Sequence, residues 1–209
     1  VALTSLDFSG LRYWKDALAI IRRLLQFGPM QVESVARGHR PEDMARVRAQ
    51  VDVMVSEHVT TLPEALAYVK AGAVDVFVVS IHSGGIVPAL RVFDIALGAG
   101  LKCLLSTTQE TSIGTAATAV LGAVAPELHM PGYAVGPVLY TEDIAVEPVR
   151  YEGATMLIPT GPGLGIELDQ EKLAAARCPE TEWLPPRLRG ISKGDATSGE
   201  SAYEEAVAE

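Results

Sequence analysis

The chain has 209 residues, 48% of them hydrophobic and 21% charged, with a formal net charge of −9. That length allows one domain or two with a sizeable core, and the dispersal of Lys and Arg among acids leaves no basic stripe for a phosphate backbone, so nucleic acid is not an expected partner. No apolar run reaches the ~18 to 20 residues of a membrane span and no charged-then-apolar leader opens the chain, so a cytoplasmic protein with no membrane partner is expected. Cys103 in an apolar run and Cys178 in a polar stretch form no disulfide framework and read as free thiols. The first residue is Val1 within a strand-like run, and the chain is read as starting partway through a larger gene product.

From Val1 onward, short β-type runs alternate with helical patterns. Val1 to Leu6 reads as a strand ending at Asp7-Phe8-Ser9-Gly10. A helix fits Trp14 to Phe27, with Ala17, Leu18, Ile21, Leu24 and Leu25 on one face, and Gly28-Pro29 stops it. A second strand, Met30 to Val32, delivers Glu33. Pro41 opens the next helix, with Met44, Val47 and Val51 at helical spacing. A third strand, Val53 to Val55, delivers Ser56 and Glu57.

Thr61-Leu62-Pro63-Glu64 reads as a capping box for a helix that Gly72 closes. A fourth strand, Val74 to Ile81, is followed by a helix around Pro88 to Leu97, a fifth strand from Leu101 to Leu105, and an Ala-rich helix capped by Ser112. Pro137 to Tyr140 is expected to form a sixth strand, and Val149 to Pro159 a hairpin turning at Glu152-Gly153. Residues 1–177 are expected to form the folded domain. Residues 178–209, polar, acidic and rich in Pro, Gly and Ser, are read as a disordered or loosely docked tail.

Repeated strand-helix units predict an α/β fold with a parallel sheet, either an open doubly wound sheet or a (β/α) barrel. Asp7, Glu33, Glu57, His82 and Glu110 all follow the C-terminal ends of different strands. A barrel gathers those ends at one mouth, whereas an open sheet scatters them, so a TIM-type barrel with about six of its eight strands present is favoured. Any one acid at a strand end has a plain alternative as a turn, cap or ion-pair residue. Three on consecutive strand ends, Asp7, Glu33 and Glu57, would repel one another without a cation between them, and hard divalent cations such as Mg²⁺ prefer such oxygen donors. The three acids are therefore assigned as a metal site.

The spacing of Asp7, Glu33 and Glu57, with Trp14 and a helix between the first two, resembles the barrel domain of the enolase superfamily. The stretch Gly84-Gly85-Ile86, the run Glu110 to Ala117 and the run Pro159 to Asp169 extend the resemblance over roughly residues 1 to 175. More narrowly, the chain resembles the mandelate racemase and muconate lactonizing group. The resemblance implies a modified barrel closed by a separate capping domain, with Asp7, Glu33 and Glu57 as ligands of Mg²⁺. It also implies a small carboxylate substrate whose α-proton is abstracted to a metal-stabilised enediolate, in an isomerase or lyase reaction such as racemisation, cycloisomerisation or dehydration.

The chain departs from the family pattern at four places. Ser9 stands where the family usually has Asn, and Ser56-Glu57 where many lactonizing members have Asp-Glu. The fourth strand lacks the Lys or Asp expected at its end. The family's other Lys base lies before Val1. Ser80 and His82 share a strand face by alternation, and His82 is a substitute base or a plain loop histidine. Glu110 is read either as a group near the substrate or as a helix cap. His58 is expected to point away from Glu57, and His39 and His129 to be loop residues.

The rival reading is a catalytically degenerate relative acting as a subunit. A metal-dependent aldolase-type barrel lyase lacks the Lys or His network it would need. A lone chain of this kind is expected to pair as a homo-oligomer or to be completed by an N-terminal segment, since an open parallel edge is sticky.

Overall fold

The computed structural model describes residues 5–177 except 108, 130 and 131. The chain divides into two compact units between Leu168 and Asp169. The stretch read as a tail, 178–209, lies outside the described residues, as does Cys178.

In the first unit, strands β1 (Ser5–Asp7), β2 (Gln31–Glu33), β3 (Met54–His58), β4 (Val76–Val79) and β5 (Lys102–Leu105) form one parallel sheet in sequence order. The crossovers carry helices α1 (Trp14–Leu24), α2 (Pro41–Arg48), α3 (Leu62–Ala71) and α4 (Ile86–Gly98), and α5 (Ser112–Val124) follows β5. Val51 falls past the end of α2.

Alternation along the strands decides the architecture. Leu6, Val32, Val55, Phe77, Val79, Cys103 and Leu105 pack with Ala17, Ile21, Met44, Val47, Phe93 and Leu121 of the helices in one cluster. The opposite face carries a smaller cluster of Val76, Val78 and Leu104, with Met54 and Tyr133 against it. Helices on one face only, with strands in consecutive order, make an arc of a barrel, because a doubly wound sheet covers both faces.

Among the described residues, five strands form the sheet where six were expected. Residues 136–139 adopt a 3₁₀ turn instead, because Pro137 has no N–H to give a ladder and its fixed φ suits the start of a helical turn. The edge of β5 is lined elsewhere: the His129 N–H donates to Cys103 O at 3.1 Å and the Tyr133 N–H to Leu105 O at 3.0 Å. The hairpin is present as β6 (Tyr151–Glu152) and β7 (Thr155–Met156), antiparallel across Gly153.

Local signals behave as their chemistry requires. Thr61 and Glu64 form the reciprocal capping box of α3, and Gly72 ends that helix in the left-handed conformation. Cys103 is buried and its thiol is pushed up to about 12 by that burial, which keeps it an unreactive core residue. Helix α5 is capped from far away: Asp143, 8% exposed, accepts the Ser112 N–H at 2.8 Å and the Ala145 N–H at 2.9 Å, while the Ser112 hydroxyl accepts the Val149 N–H at 3.0 Å. These bonds fasten residues 143–149 to the start of α5. Asp143→Ala is expected to destabilise the chain by about 2 kcal/mol, read as a lower urea midpoint at unchanged slope; an unchanged midpoint would remove Asp143 from that role.

The second unit begins with Asp169, whose carboxylate accepts the Glu171 and Lys172 N–H groups at 3.0 Å and so caps α6 (Gln170–Ala175).

Candidate active site

The register places Asp7, Glu33 and Ser56 at the same level on β1, β2 and β3. Since Leu6, Val32 and Val55 face the helices, Asp7, Glu33 and Ser56 lie on the helix-free face. Glu57 is one residue further along and shares the parity of Val55. The three acids assigned as a triad are thus divided: Asp7 and Glu33 share a face, and Glu57 lies on the other. The residue level with the first two acids is a serine.

Glu57 is fully engaged where it sits, 1% exposed. Its Oε1 accepts the Ser34 hydroxyl and the His58 N–H, each at 2.9 Å, and its Oε2 lies 3.1 Å from His39 Nδ1. It borders a cavity of about 380 Å³ lined also by Pro41, Thr60, Glu64 and Tyr68. His39 reaches Glu57 because Gly10 lets it: a Cβ on Gly10 would stand 2.5 Å from the His39 ring. Burial, and then the Glu57 and Glu64 charges, push the Tyr68 hydroxyl well above its ordinary range.

On the helix-free face, Glu33 is 3% exposed. Tyr133 donates its hydroxyl to Glu33 Oε2 at 2.5 Å, and His58 Nε2 lies 2.9 Å from Glu33 Oε1. Burial alone would lower the His58 pKa, but the Glu33 hydrogen bond and the charges of Glu33, Glu57 and Asp7 together raise it. Burial first, then Glu33, raises the Tyr133 hydroxyl far above its usual value. Asp7 accepts the Ser9 N–H at 2.6 Å and the Ser9 hydroxyl at 3.3 Å. Among the described residues, no three acidic, His or Cys side chains converge on a position that would hold a metal ion. Asp7 and Glu33 fit one side of a hard-cation site, with oxygen donors on adjacent in-register strand ends; Glu57 does not join them.

His58, Tyr133 and His39 are partners that sequence reasoning missed. The alternation that turns His58 away from Glu57 also turns it toward Glu33, so His58 was within reach of that argument. Nothing local in sequence marks Tyr133 or His39, whose partners lie on distant strands.

Ser80, His82 and Glu110 cluster at the ends of β4 and β5. Strand β4 ends at Val79 and residues 81–84 turn, so strand alternation does not extend from Ser80 to His82. Instead the His82 N–H donates to Ser80 Oγ at 3.2 Å, and His82 Nε2 lies 3.0 Å from Glu110 Oε1. Thr107 donates its hydroxyl to the other Glu110 oxygen. Among the described residues, four that are not glycine adopt positive φ: Ser9, Ser34, His39 and Gln109. All follow strand C-termini, where backbone conformations of this cost are commonly found beside functional groups.

Known proteins share this fold. The family model described as "Enolase C-terminal domain-like" matches residues 5–172. Muconate cycloisomerase 1-2 of Acinetobacter lwoffii is 37% identical over 171 residues, covering 81% of this chain and 42% of that protein. The crystal structure of 2-chloromuconate cycloisomerase from Rhodococcus opacus superposes with a TM-score of 0.78 at 32% identity, over 82% of this chain and 47% of that one. Muconate lactonizing enzyme from Pseudomonas fluorescens, complexed with muconolactone, gives 0.79 at 29% identity over 83% and 47%. The chain therefore spans about half the length of the relatives it matches. No helix of the described residues is long and apolar enough to cross a membrane. On the match over residues 5–172, the chain belongs to the enolase C-terminal domain-like family.

Proposed function

We propose that this chain supplies the strand-end carboxylates of an isomerase site that moves a proton α to a substrate carboxylate, on a substrate of the muconate or muconolactone type. The observation that carries the reading is the in-register pair Asp7 and Glu33 on the helix-free face of a barrel arc, in a chain whose relatives are named as cycloisomerases. Asp7 and Glu33 would hold Mg²⁺, which accepts one or two protein carboxylates and keeps positions for water and substrate. Once bound, the cation supplies positive charge against the negative charge that builds on the substrate carboxylate as its α-proton leaves.

The chain's own residues define the surroundings. Tyr133 and His58 hold Glu33 in place, and Tyr133 also packs against the buried Val76, Val78 and Leu104 of the same sheet face. Strand β1 pairs only with β2 among the described strands, which leaves an edge for further strands from the same polypeptide or a second copy.

The test is incubation with muconolactone and Mg²⁺ in D₂O, followed by proton NMR. Deuterium is expected at the carbon α to the carboxylate. Absence of incorporation by the chain in its complete form would overturn the reading in favour of a non-catalytic relative.

A further inference from the structure

We propose that Tyr133 is a positioning residue that sets which cation the site prefers: by tying one oxygen of Glu33 it makes that carboxylate meet a metal ion through a single oxygen, which favours Mg²⁺ over Ca²⁺. The proposal rests on the cation site of the reading above and adds the residue that governs its selectivity.

Tyr133 lies 100 residues from Glu33 in the chain, yet donates its hydroxyl to Glu33 Oε2 at 2.5 Å. Several contacts build that placement. The Tyr133 N–H donates to Leu105 O at 3.0 Å, which fastens the backbone along the edge of β5. Gly132 permits the approach, since a Cβ there would stand 2.8 Å from the same carbonyl oxygen. The next residue is braced as well, the Ala134 carbonyl accepting the Tyr151 hydroxyl at 2.7 Å. The Tyr133 side chain packs against Val76, Val78 and Leu104 on the helix-free face, and its hydroxyl meets the buried carboxylate there.

The chemistry of this hydrogen bond decides its effect. An ionised carboxylate offers about four lone-pair positions, so a donor on Oε2 leaves room for a cation on the same group. Tyr133 is a neutral donor, and it orients Glu33 while leaving the negative charge for the metal. His58 Nε2 stands 2.9 Å from Oε1, so each Glu33 oxygen has a partner. One oxygen can still reach an ion at the lone pair its partner leaves open. Wrapping both round the ion would strip a hydrogen bond from a carboxylate only 3% exposed.

The two ions differ in what they ask of such a group. Mg²⁺ takes near-ideal octahedral geometry at about 2.0–2.1 Å and keeps several waters, whereas Ca²⁺ takes roughly six to eight oxygens at about 2.3–2.6 Å and accepts a carboxylate through both of its oxygens. A fixed, single-oxygen Glu33 beside Asp7 suits the first. A ring that only filled space would serve equally as phenylalanine, so the hydroxyl is the part that acts on the site.

The test is isothermal titration calorimetry of the complete protein and of Tyr133→Phe with Mg²⁺ and, separately, with Ca²⁺. The unsubstituted protein should bind Mg²⁺ at least about 10-fold more tightly than Ca²⁺. Tyr133→Phe keeps the ring and should weaken Mg²⁺ binding about 10-fold while Ca²⁺ binding stays within about threefold, so that the preference collapses. Equal weakening for both ions, the result of a general loosening, overturns the proposal, and so does an unchanged preference. An unsubstituted protein that binds the two ions alike overturns it too, whether or not the variant folds. Failure of the cation reading is distinguishable and takes this proposal with it: there the unsubstituted protein binds neither ion, or Glu33→Gln binds Mg²⁺ as before.

Discussion

Glu33→Gln is expected to weaken Mg²⁺ binding, measured by isothermal titration calorimetry, by at least about 100-fold, while Glu57→Gln leaves it within about threefold. The contrast follows from register and parity. Asp7 pairs with Glu33 across β1 and β2, and both lie on the face away from the helices. Glu57 lies one residue past the level of Ser56 and is turned toward the helices, where it meets Ser34, His39 and the His58 N–H; it differs from Glu33, whose oxygens Tyr133 and His58 hold, in the face it occupies.

Bringing Glu57 to a shared cation would require rotating a buried carboxylate away from all of these donors and leaving them unpaired, at roughly 1–3 kcal/mol for each buried group. Glu57→Gln should instead lower stability by about 1–3 kcal/mol, since a neutral amide replaces a charged acceptor. Equal loss of Mg²⁺ binding in the two variants would restore Glu57 to the ligand set. Undiminished binding in Glu33→Gln would remove the proposed site.

Gly136→Ala is the other change of large effect. The new Cβ would lie 1.9 Å from the Glu110 carbonyl oxygen and 2.9 Å from both the carbonyl carbon and Thr115 Oγ1. The first two neighbours are backbone and cannot rotate aside, so either the 136–139 turn or the loop bearing Glu110 must move. A loss of about 3 kcal/mol is expected, at the upper end for overpacking, visible as a lower urea midpoint. Full stability in Gly136→Ala would show that the two loops do not pack as described. Gly136→Ser, which adds a Cβ as well, should behave the same way.

Much of the fold was legible because its signals are local. The Thr61 and Glu64 capping box, the Gly72 stop, Pro41 at the start of α2 and the Gly153 hairpin turn depend on neighbours within a few residues. The barrel was favoured from the position of polar residues at strand ends, and the single helical layer and the cycloisomerase relatives bear it out. The missing sixth strand at 137–140 shows the limit of such reasoning. Its apolar residues suit a strand, but Pro137 suits a 3₁₀ turn, and the backbone around 129 and 133 already lines the β5 edge.

The candidate site was legible in part. Strand-end placement grouped Asp7 and Glu33, which the register does put side by side on one face, and it also brought in Glu57, whose face depends on where the strand ends. Reading β3 as finishing at Val55 freed Ser56 and Glu57 to be loop residues. With β3 running to His58, the alternation continues and separates them. Likewise β4 stops at Val79, so His82 reaches Glu110 through a turn and not along a strand face.

By itself, then, the sequence determined the order and type of the strand-helix units, the family, and the presence of acids at the C-terminal ends of successive strands, because periodicity and turn chemistry are written within a few residues of each position. Only the tertiary structure decided that Asp7 and Glu33 share a face without Glu57, that Tyr133 and His58 hold Glu33, and that Asp143 accepts the Ser112 N–H at the start of α5. Those outcomes depend on register between strands and on contacts between residues far apart in the chain. A one-residue difference in where a strand ends reverses the face of every side chain after it.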